Sequence, residues 1–284
     1  KLTIFKKIIK FIKKSSNDTK LIHYHGSNIF FRELYSLYEG SLFSKNGIPM
    51  IMTFGGGDIR PIRYTNQRNP YFYLGKNSTV GILRDIRTKI RLKSWSKYLN
   101  YAVVDPELYS YMKPYFKKVY IFRQPIGLDE IECKIPNIDN DVPIILHIPT
   151  EPWVKGTDLI IEACDRLKNE GYKFEFKLKR QLTQQELYKE MVNCDIYVDE
   201  LKCGAHGVTA VEAMCAGKPT LTYIRDDLVK EYPQDLPLVN TNPDTIYENL
   251  KILIVDSRLR NEIGKASREY VEKYHDTRVV VDGL

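Results

Sequence analysis

Long apolar runs are missing from this 284-residue sequence, and cysteine is rare. No stretch approaches the roughly 20 apolar residues that a membrane-spanning helix needs, so the sequence predicts none. The five cysteines contain no C-x-x-C pair and their number is odd, so no disulfide framework is expected. No cluster of His, Cys, Asp and Glu has the spacing of metal ligands, and we therefore expect no metal.

Three of the cysteines lie in apolar helix or strand patterns, which indicates small buried side chains and a reducing, cytoplasmic setting. A hydrophobic content of 43% and a charged content of 28% are typical of a soluble globular protein. The length is sufficient for two α/β domains with ordinary cores.

Charge is distributed unevenly along the chain. Residues 1–125 hold 23 Lys and Arg against 7 Asp and Glu, a net charge of +16, whereas the remainder holds 20 against 29, a net charge of −9. This asymmetry favours a polyanion or an acidic membrane surface as a partner of the first half; a solvated basic face without a partner is the alternative. Residues 1–14 have an amphipathic helix pattern that fits either an anionic membrane or packing on the domain's own sheet.

Short apolar runs alternate with helical patterns, which predicts βαβ units and parallel sheets. In the first half we expect strands at Lys20–Tyr24, Pro49–Phe54, Tyr101–Val104 and Lys118–Phe122, and helices at Phe31–Phe43 and Gly81–Asn100. In the second half we expect strands at Pro143–His147, Phe174–Lys177 and Ile196–Val198, and helices at Thr157–Gly171, Thr183–Asn193 and, as a pair, within Thr245–Tyr274. The helix at Gly81–Asn100 is strongly basic and has apolar residues at helical spacing, namely Ile82, Ile86, Ile90 and Trp95.

The most informative segment runs from Val198 to Tyr223, VDELKCGAHGVTAVEAMCAGKPTLTY. Its pattern predicts a strand, a glycine-containing loop, a short helix carrying Glu212 and a second strand. A loop of small residues before a helix exposes backbone N–H groups that suit phosphate or sugar oxygens. An acid about one turn into that helix is placed to hold a ribose; an exposed helix acid paired with a lysine is the alternative.

This layout resembles the nucleotide-sugar site of the GT-B glycosyltransferases, in particular the retaining enzymes of family 4. The matching residues are Gly207, Val211, Glu212, Ala213, Met214, Ala216, Gly217 and Pro219. The resemblance covers about residues 20–280 and is sharp only in 145–225. It implies an α/β fold of the GT-B type, with two Rossmann-like domains whose parallel sheets face an interdomain cleft.

The predicted domain boundary lies in a stretch rich in acids, Pro and Asn that begins near Leu128. We expect residues 1–128 to form the acceptor-binding domain and residues 129–284 the nucleotide-sugar-binding domain. The first strand and glycine-rich loop that are usual in the family are not found, so either they precede Lys1 or the N-terminal domain is reduced.

The segment HIPTEPWVKGTD, between a strand and a helix start, supplies a second part of the predicted site. By the resemblance, Lys155 and Gly156 form the Lys-Gly of the nucleotide-sugar loop, whose lysine contacts the leaving diphosphate; a lysine before a helix is otherwise a common surface residue. The family often has an arginine where this chain has Pro149. The hydroxyl of Thr150 is expected to bind a phosphate oxygen there without supplying the charge.

The resemblance also assigns His206, Gly207 and Val208 to the loop that lines the donor sugar and the β-phosphate. For His206, a plain loop histidine is an equal alternative. The first acid of the family's E-x7-E pattern falls at Gly204 in this chain. Relatives with glycine at this place carry an aspartate at the position of Asp199, so the departure is interpreted as a subfamily variant.

In the first half, His23 and His25 end a strand and lie on one face by alternation. One of them is a candidate acceptor-side hydrogen bonder or base; a satisfied strand-end histidine is the alternative. The next strand ends in TFGGGDIR, which resembles the family's T-F-H-G-x-D-x-R turn with Gly55 in place of the histidine. Asp58 and Arg60 are then the polar groups expected to face the cleft.

The resemblance implies retaining transfer of a hexosyl group from a nucleotide diphosphate sugar, with a UDP-sugar favoured, to a glycan or polyprenyl-linked acceptor in surface polysaccharide synthesis. The expected catalytic residues are Lys155, Glu212, His25 and Asp58, and the expected donor-binding residues are Thr150, Lys155, Gly156, His206, Gly207, Val208 and Glu212. No metal is expected, because the lysine and the helix N-terminus take the role of the metal cation. No other cofactor and no nucleic acid is expected either. The expected location is the cytoplasm or the inner face of the plasma membrane.

Two alternatives share parts of this pattern. A GT-B-fold nucleotide-sugar epimerase would use the same donor site without an acceptor. A non-catalytic scaffold would bind membrane or nucleic acid through the basic half, and the departures at Gly55 and Gly204 favour it.

Overall fold

The computed structural model describes residues 6, 10, 19–26, 36–55, 59–72, 79–121 and 123–283. Contacts divide the chain into unit 1, formed by Lys1–Gln67 and Leu74–Phe122, and unit 2, formed by Arg68–Tyr73 and Arg123–Leu284. The domain boundary at residues 128 and 129 stays a prediction. Apart from residues 6 and 10, the helix pattern of residues 1–14 lies outside the described residues, as do the first part of the helix expected at Phe31–Phe43 and the candidate site residue Asp58.

The described residues of unit 1 form a four-stranded parallel sheet in the order β1-β2-β3-β4. The strands are β1 Ile22–His25, β2 Met50–Phe54, β3 Tyr101–Val104 and β4 Lys118–Ile121, and the helices are α1 Ser36–Lys45, α2 Ile62–Arg68, α3 Thr79–Trp95 and α4 Pro106–Met112. The four strands expected from the sequence are thereby confirmed. Helices α2 and α4 were not predicted.

The core of unit 1 is centred on β2. Met50, Met52 and Phe54 are buried and alternate with half-buried residues, as the period of two along a strand requires. Trp95 at the end of α3 packs against Tyr24 of β1, with ring centroids 5.3 Å apart.

Unit 2 contains a five-stranded parallel sheet in the order β6-β5-β7-β8-β9. The strands are β5 Ile144–His147, β6 Glu175–Leu178, β7 Ile196–Val198, β8 Thr220–Thr222 and β9 Val239–Asn240. The helices are α5 Pro152–Lys155, α6 Thr157–Asn169, α7 Gln184–Asn193, α8 Val208–Cys215, α9 Ile246–Val255, α10 Ser257–Tyr274 and α11 Thr277–Asp282. The prediction of an α/β fold with parallel sheets is confirmed.

Helices cover both faces of the sheet in unit 2. Ile145 of β5 packs in one cluster with Ile160 of α6, whereas the next residue, Leu146, packs on the other face with Val211 of α8. Strands β7 and β8 are buried throughout, which is typical of parallel strands covered on two sides.

Local signals in the sequence fix several helix ends. Thr183 caps α7 and exchanges hydrogen bonds with Glu186, a capping box that stops the helix from extending further back.

All five cysteines are free, and four of them are buried. Among the described residues, no helix combines the length and the apolar character that crossing a membrane requires.

Candidate active site

The strand order of unit 2 reverses between β5 and β7, and open parallel sheets bind ligands outside the carboxyl ends of their strands at such a point. His147 ends β5, and its ring nitrogens lie 2.8 Å from the carbonyl oxygen of Val198 and 2.9 Å from Oγ1 of Thr157. Burial lowers the pKa of His147 to about 4, so its ring is neutral. His147 therefore ties the end of β5 to the end of β7 and to the start of α6.

Lys155 ends the short helix α5, and Gly156 follows it with a φ of +77°, a left-handed conformation that favours glycine. After this turn α6 begins at Thr157, and Nζ of Lys155 lies 2.6 Å from Oδ1 of Asp199 and 3.1 Å from Oε2 of Glu200. Burial opposes the charge, but the two carboxylates raise the pKa of Lys155 above its ordinary value. The lysine is thus a charged group held between two acids, an arrangement that the sequence did not predict.

Asp199 directly follows β7 and is buried. Its Oδ1 accepts hydrogen bonds from Nζ of Lys155 and from Oγ1 of Thr209, the latter at 3.0 Å. Its Oδ2 is also buried but has no hydrogen-bond partner among the described residues. A Cβ built on Gly207 would lie 3.7 Å from this oxygen. Because buried polar atoms without partners are rare, Oδ2 is suited to accept a ligand hydroxyl beside Gly207.

The N-terminus of α8 lies next to this carboxylate. Gly207 precedes the helix and has no side chain to cap its first N–H groups, and Val208 is exposed. Unsatisfied N–H groups and the helix dipole make such an end favourable for an anion. Gly207 and Val208 thus lie where the sequence placed them, at the start of a helix that opens towards solvent.

Glu212 lies one turn into α8, and its side chain is buried. The hydroxyl of Tyr188, on α7, donates a hydrogen bond of 3.1 Å to Oε1 of Glu212. Burial raises the pKa of Glu212, the Tyr188 bond lowers it and the charge of Asp199 raises it again. This environment does not match the alternative of an exposed helix acid paired with a lysine.

A cavity of about 380 Å³ borders the same edge of the sheet. Its lining includes Pro149 and Thr150 after β5, Arg180, Gln181 and Leu182 after β6, and Thr209 of α8. Its volume lies within the range of small-molecule sites, and two hydroxyls and a guanidinium line it. Of these residues, only Thr150 is predicted from the sequence to contact a ligand. Arg180 was not predicted to line a cavity. Its position just after β6, the strand that neighbours β5, is the feature of the sequence that could have indicated it.

Gly204 stands where the resembled family has an acid, and the structure gives the reason for the glycine. Its φ is +86°, and a Cβ added there would lie 2.3 Å from Cγ of Arg225. Arg225 is buried and forms an ion pair of 2.9 Å with Asp227. A side chain at Gly204 is therefore excluded, and the nearby acid that remains available to a ligand is Asp199.

Asn69 belongs to the Arg68–Tyr73 segment of unit 2 and was missed by the sequence analysis. Its Nδ2 donates to the carbonyl oxygens of Lys202 and Cys203 at 2.7 and 2.8 Å. Its Oδ1 accepts from the backbone N–H of Tyr71 at 3.0 Å and from the next N–H along the chain at 3.2 Å. Asn69 thus holds the residues that lead into the loop before α8. The contact spans 133 residues, so no local pattern indicates it.

His206 is buried within unit 2 among aromatic rings. Its ring centroid lies 4.9 Å from that of Tyr232 and 5.9 Å from that of His275. Burial, with a smaller contribution from His275, lowers the pKa of His206 to about 3. These contacts favour the loop-histidine alternative, and a contact of His206 with the donor stays a prediction.

In unit 1, the rings of His23 and His25 lie 4.2 Å apart, which confirms that they share a face of β1. His23 is hydrogen-bonded to Oγ1 of Thr53 at 2.8 Å, and both histidines are exposed. His25 is the last residue of β1, and its role on the acceptor side stays a prediction.

Arg60, which the sequence predicted to face the cleft, donates three hydrogen bonds of 2.7 to 3.3 Å to the carboxylate of Glu107. Asp105 directly follows β3. Burial raises the pKa of Asp105 to about 6, Glu107 adds to the rise and Arg60 opposes it. The acid that holds Arg60 is thus Glu107, a residue that the sequence did not indicate.

No group of three or more His, Cys, Asp or Glu side chains within the described parts of the chain is arranged to hold a metal ion. The sequence-predicted residues Thr150, Lys155, Gly156, Gly207, Val208 and Glu212 all belong to the carboxyl edge of the sheet in unit 2 or to α8 beside it.

Comparison with known proteins gives no match among sequence models of protein families and none among curated protein sequences. Solved structures do match. Sucrose-phosphate synthase from Thermosynechococcus elongatus has a TM-score of 0.66 and 14% identity, covering 100% of this chain and 77% of that one. Anabaena HepE in complex with UDP and glucose has a TM-score of 0.65 and 11% identity, covering 97% and 79%.

WaaG, a glycosyltransferase involved in lipopolysaccharide biosynthesis, has a TM-score of 0.57 and 14% identity, covering 87% of this chain and 81% of its own. These likenesses extend over both units of the chain. With two Rossmann-like units built on parallel sheets, the protein has the GT-B fold.

Proposed function

We propose that the protein transfers a sugar from a nucleotide diphosphate sugar to an acceptor and that unit 2 holds the donor. The observation that carries the proposal is the buried acid Asp199, with one unpartnered oxygen, beside the uncapped start of α8. The match to the complex of HepE with UDP-glucose supports a UDP-sugar as donor.

The diphosphate would lie at the N-terminus of α8, where the backbone N–H groups after Gly207 and Val208 meet it. Thr150 would donate its hydroxyl to a phosphate oxygen from the neighbouring cavity. The ammonium of Lys155, which already pairs with Asp199 and Glu200, would approach the leaving diphosphate beside the turn at Gly156. This ammonium and the N-terminus of α8 would take the place of a metal ion, so we expect EDTA to leave the rate unchanged.

Glu212 would accept hydrogen bonds from the ribose hydroxyls, with Tyr188 orienting its carboxylate. Oδ2 of Asp199 would accept from a hydroxyl of the donor sugar and so take the role of the acid that is absent at Gly204. His206 would contribute to the shape of the donor loop through its packing.

We further propose a retaining reaction with a hexosyl donor. The bond between the anomeric carbon and the phosphate oxygen breaks, and the acceptor oxygen bonds to that carbon on the same face. The acceptor proton passes to the departing phosphate, so the reaction needs no dedicated protein base. His25 and Asp58 would orient the acceptor hydroxyl.

The acceptor we propose is a glycan or a polyprenyl-linked glycan in the synthesis of a surface polysaccharide. The free cysteines agree with a reducing cytoplasmic location, and the excess of basic residues in the first half agrees with work at the inner face of the plasma membrane. Nucleic acid is not expected as a partner.

The test is an assay of UDP release and sugar transfer with a panel of UDP-sugars and lipid-linked acceptors, with product configuration read by NMR. Glu212→Gln should lower turnover by about tenfold or more, equivalent to about 1.4 kcal/mol of transition-state binding. The exposed acid Glu262 on α10 provides the matched control, and Glu262→Gln should retain full activity. If the sugar nucleotide is converted into an epimer and no sugar is transferred to an acceptor, the protein is an epimerase. If Glu212→Gln keeps full activity, the assignment of Glu212 to the donor site is wrong.

A further inference from the structure

Helix α3 of unit 1 exposes four large apolar side chains, and we call this face the α3 patch. The exposed fractions are 47% for Ile82, 49% for Leu83, 47% for Ile86 and 60% for Ile90. At about 100° per residue, these positions fall within an arc of about 100° on one side of the helix. Single exposed apolar residues are ordinary, but four on one helix face form a contiguous surface.

The opposite side of α3 is already committed to packing. Asp85 accepts hydrogen bonds from the backbone N–H groups of Ile62 at 2.7 Å and Arg63 at 3.0 Å, at the start of α2. Leu92 and Trp95 belong to the core of unit 1. Because these contacts fix the rotation of the helix about its axis, the α3 patch points away from the core. The apolar spacing that the sequence showed therefore describes an outward face, except at Trp95.

Cations border the α3 patch. The helix carries Arg84, Arg87, Lys89, Arg91 and Lys93, and its single acid, Asp85, is the buried residue that holds α2. By helical geometry, Lys89 and Arg87 lie at opposite borders of the patch and Lys93 lies within its arc. An apolar strip between basic side chains is the pattern of a helix that lies in the interface of an anionic bilayer, with its cations at the headgroups.

We propose that the α3 patch docks on an anionic membrane surface. Pairing of the α3 patch with the same patch of a second copy would bring two positive faces together. Residues 1–14 do not offer this chain's own counter-charge, because they are themselves basic and hold no acid. Nucleic acid would match the charge but would leave the isoleucines in water. The inference rests on the membrane-side location in the proposed function and requires no step of the transfer reaction.

The test is co-sedimentation of the full chain with vesicles of phosphatidylglycerol and phosphatidylcholine, and with pure phosphatidylcholine. The wild type should bind the anionic vesicles, and I86E/I90E should bind them about tenfold or more weakly, because two charges enter the buried face. I252E/V255E is the matched control, since Ile252 and Val255 are equally exposed on α9 of unit 2, and it should bind like the wild type. R87E/K93E should lose binding as well, and 0.5 M salt should reproduce that loss.

Circular dichroism and UDP affinity, measured on the same variants, separate unfolding from lost docking. If I86E/I90E is folded and still binds anionic vesicles like the wild type, the proposal is wrong. Equal binding to neutral vesicles, a wild-type dimer that I86E/I90E abolishes, or DNA binding that only R87E/K93E removes would each overturn it too. If the wild type does not bind UDP, the proposed function is wrong, whereas the vesicle measurement still tests the docking of the α3 patch.

Discussion

Nζ of Lys155 and Oδ1 of Asp199 lie 2.6 Å apart, and the pair joins the segment that follows β5 to the residue that follows β7. Both side chains are largely buried, and a second acid, Glu200, lies 3.1 Å from the same ammonium. The ion pair therefore lies where the strand order reverses, which is the place where parallel sheets bind their ligands. In the proposed function, ligand binding would depend on the same few atoms that join these two segments.

Removing the cation from this cluster should destabilise the fold. In Lys155→Met, Asp199 and Glu200 remain buried without a counter-charge, and the free energy of unfolding should fall by about 3 kcal/mol. The double variant, Lys155→Met with Asp199→Asn, should lose less free energy of unfolding than the two single variants lose together. We expect a difference of about 1 kcal/mol, because the two residues interact directly. Denaturant titrations of the four proteins measure both quantities. Additive losses would show that the pair is not coupled, and the exposed pair Lys273–Asp235 should show no measurable loss in Lys273→Met.

Gly204→Ala should be far more costly than the same change at Gly171. Both glycines lie in unit 2 and have similar left-handed φ values, +86° and +89°. No atom lies within 4 Å of a Cβ at Gly171, so only backbone strain of about 1 kcal/mol applies there. At Gly204 the Cβ meets the side chain of Arg225, and we expect a loss of about 3 kcal/mol. Equal changes in Tm for the two variants would contradict this account of the missing acid.

Three buried histidines should make unfolding sensitive to acid. Burial lowers the pKa of His147 to about 4, that of His206 to about 3 and that of His275 to about 4. Such a histidine takes up its proton only on unfolding, so its contribution to stability is lost as the pH falls below about 6.5 towards its folded-state value. Between pH 7.5 and 5.5, His206→Phe should lose about 1 kcal/mol less stability than the wild type. If the wild type and His206→Phe lose equal amounts of stability between these pH values, the pKa of His206 is not lowered in the folded state.

Asn69 should matter for nucleotide binding at the loop before α8 as well as for stability. Asn69→Ala leaves the carbonyl oxygens of Lys202 and Cys203 without their donor, which should cost about 2 kcal/mol. Because these residues lead into the loop before α8, UDP affinity should also fall. Asn137 makes a similar but exposed turn contact with the N–H of Asp139, and Asn137→Ala should change neither quantity. Unchanged UDP affinity in a folded Asn69→Ala would show that the contact is structural only.

Elements that are coded by neighbouring residues could be predicted from the sequence. The strands Tyr101–Val104 and Ile196–Val198 have the predicted bounds, and α6 begins at Thr157 as predicted. The short helix Pro106–Met112 was missed because about two turns, most of whose residues are buried, show little periodicity. Its real signal was Pro106 at the first helical position after Asp105.

Long-range contacts could not be predicted. The sequence indicated Lys155 and Glu212 as site residues, but not that Lys155 is held by Asp199 and Glu200, because side chains 44 residues apart leave no spacing pattern. For the same reason the role of Arg225 in excluding a side chain at Gly204 became visible only with the fold.

The measurement that tests the central claim most directly is isothermal titration of UDP, GDP and ADP into the wild type, Glu212→Gln and Glu262→Gln. If unit 2 holds the nucleotide at α8, UDP binds the wild type and Glu262→Gln equally, and its affinity for Glu212→Gln is about tenfold lower, a change of about 1.4 kcal/mol. Absence of binding for all three nucleotides, or equal UDP affinity in all three proteins, would contradict the claim.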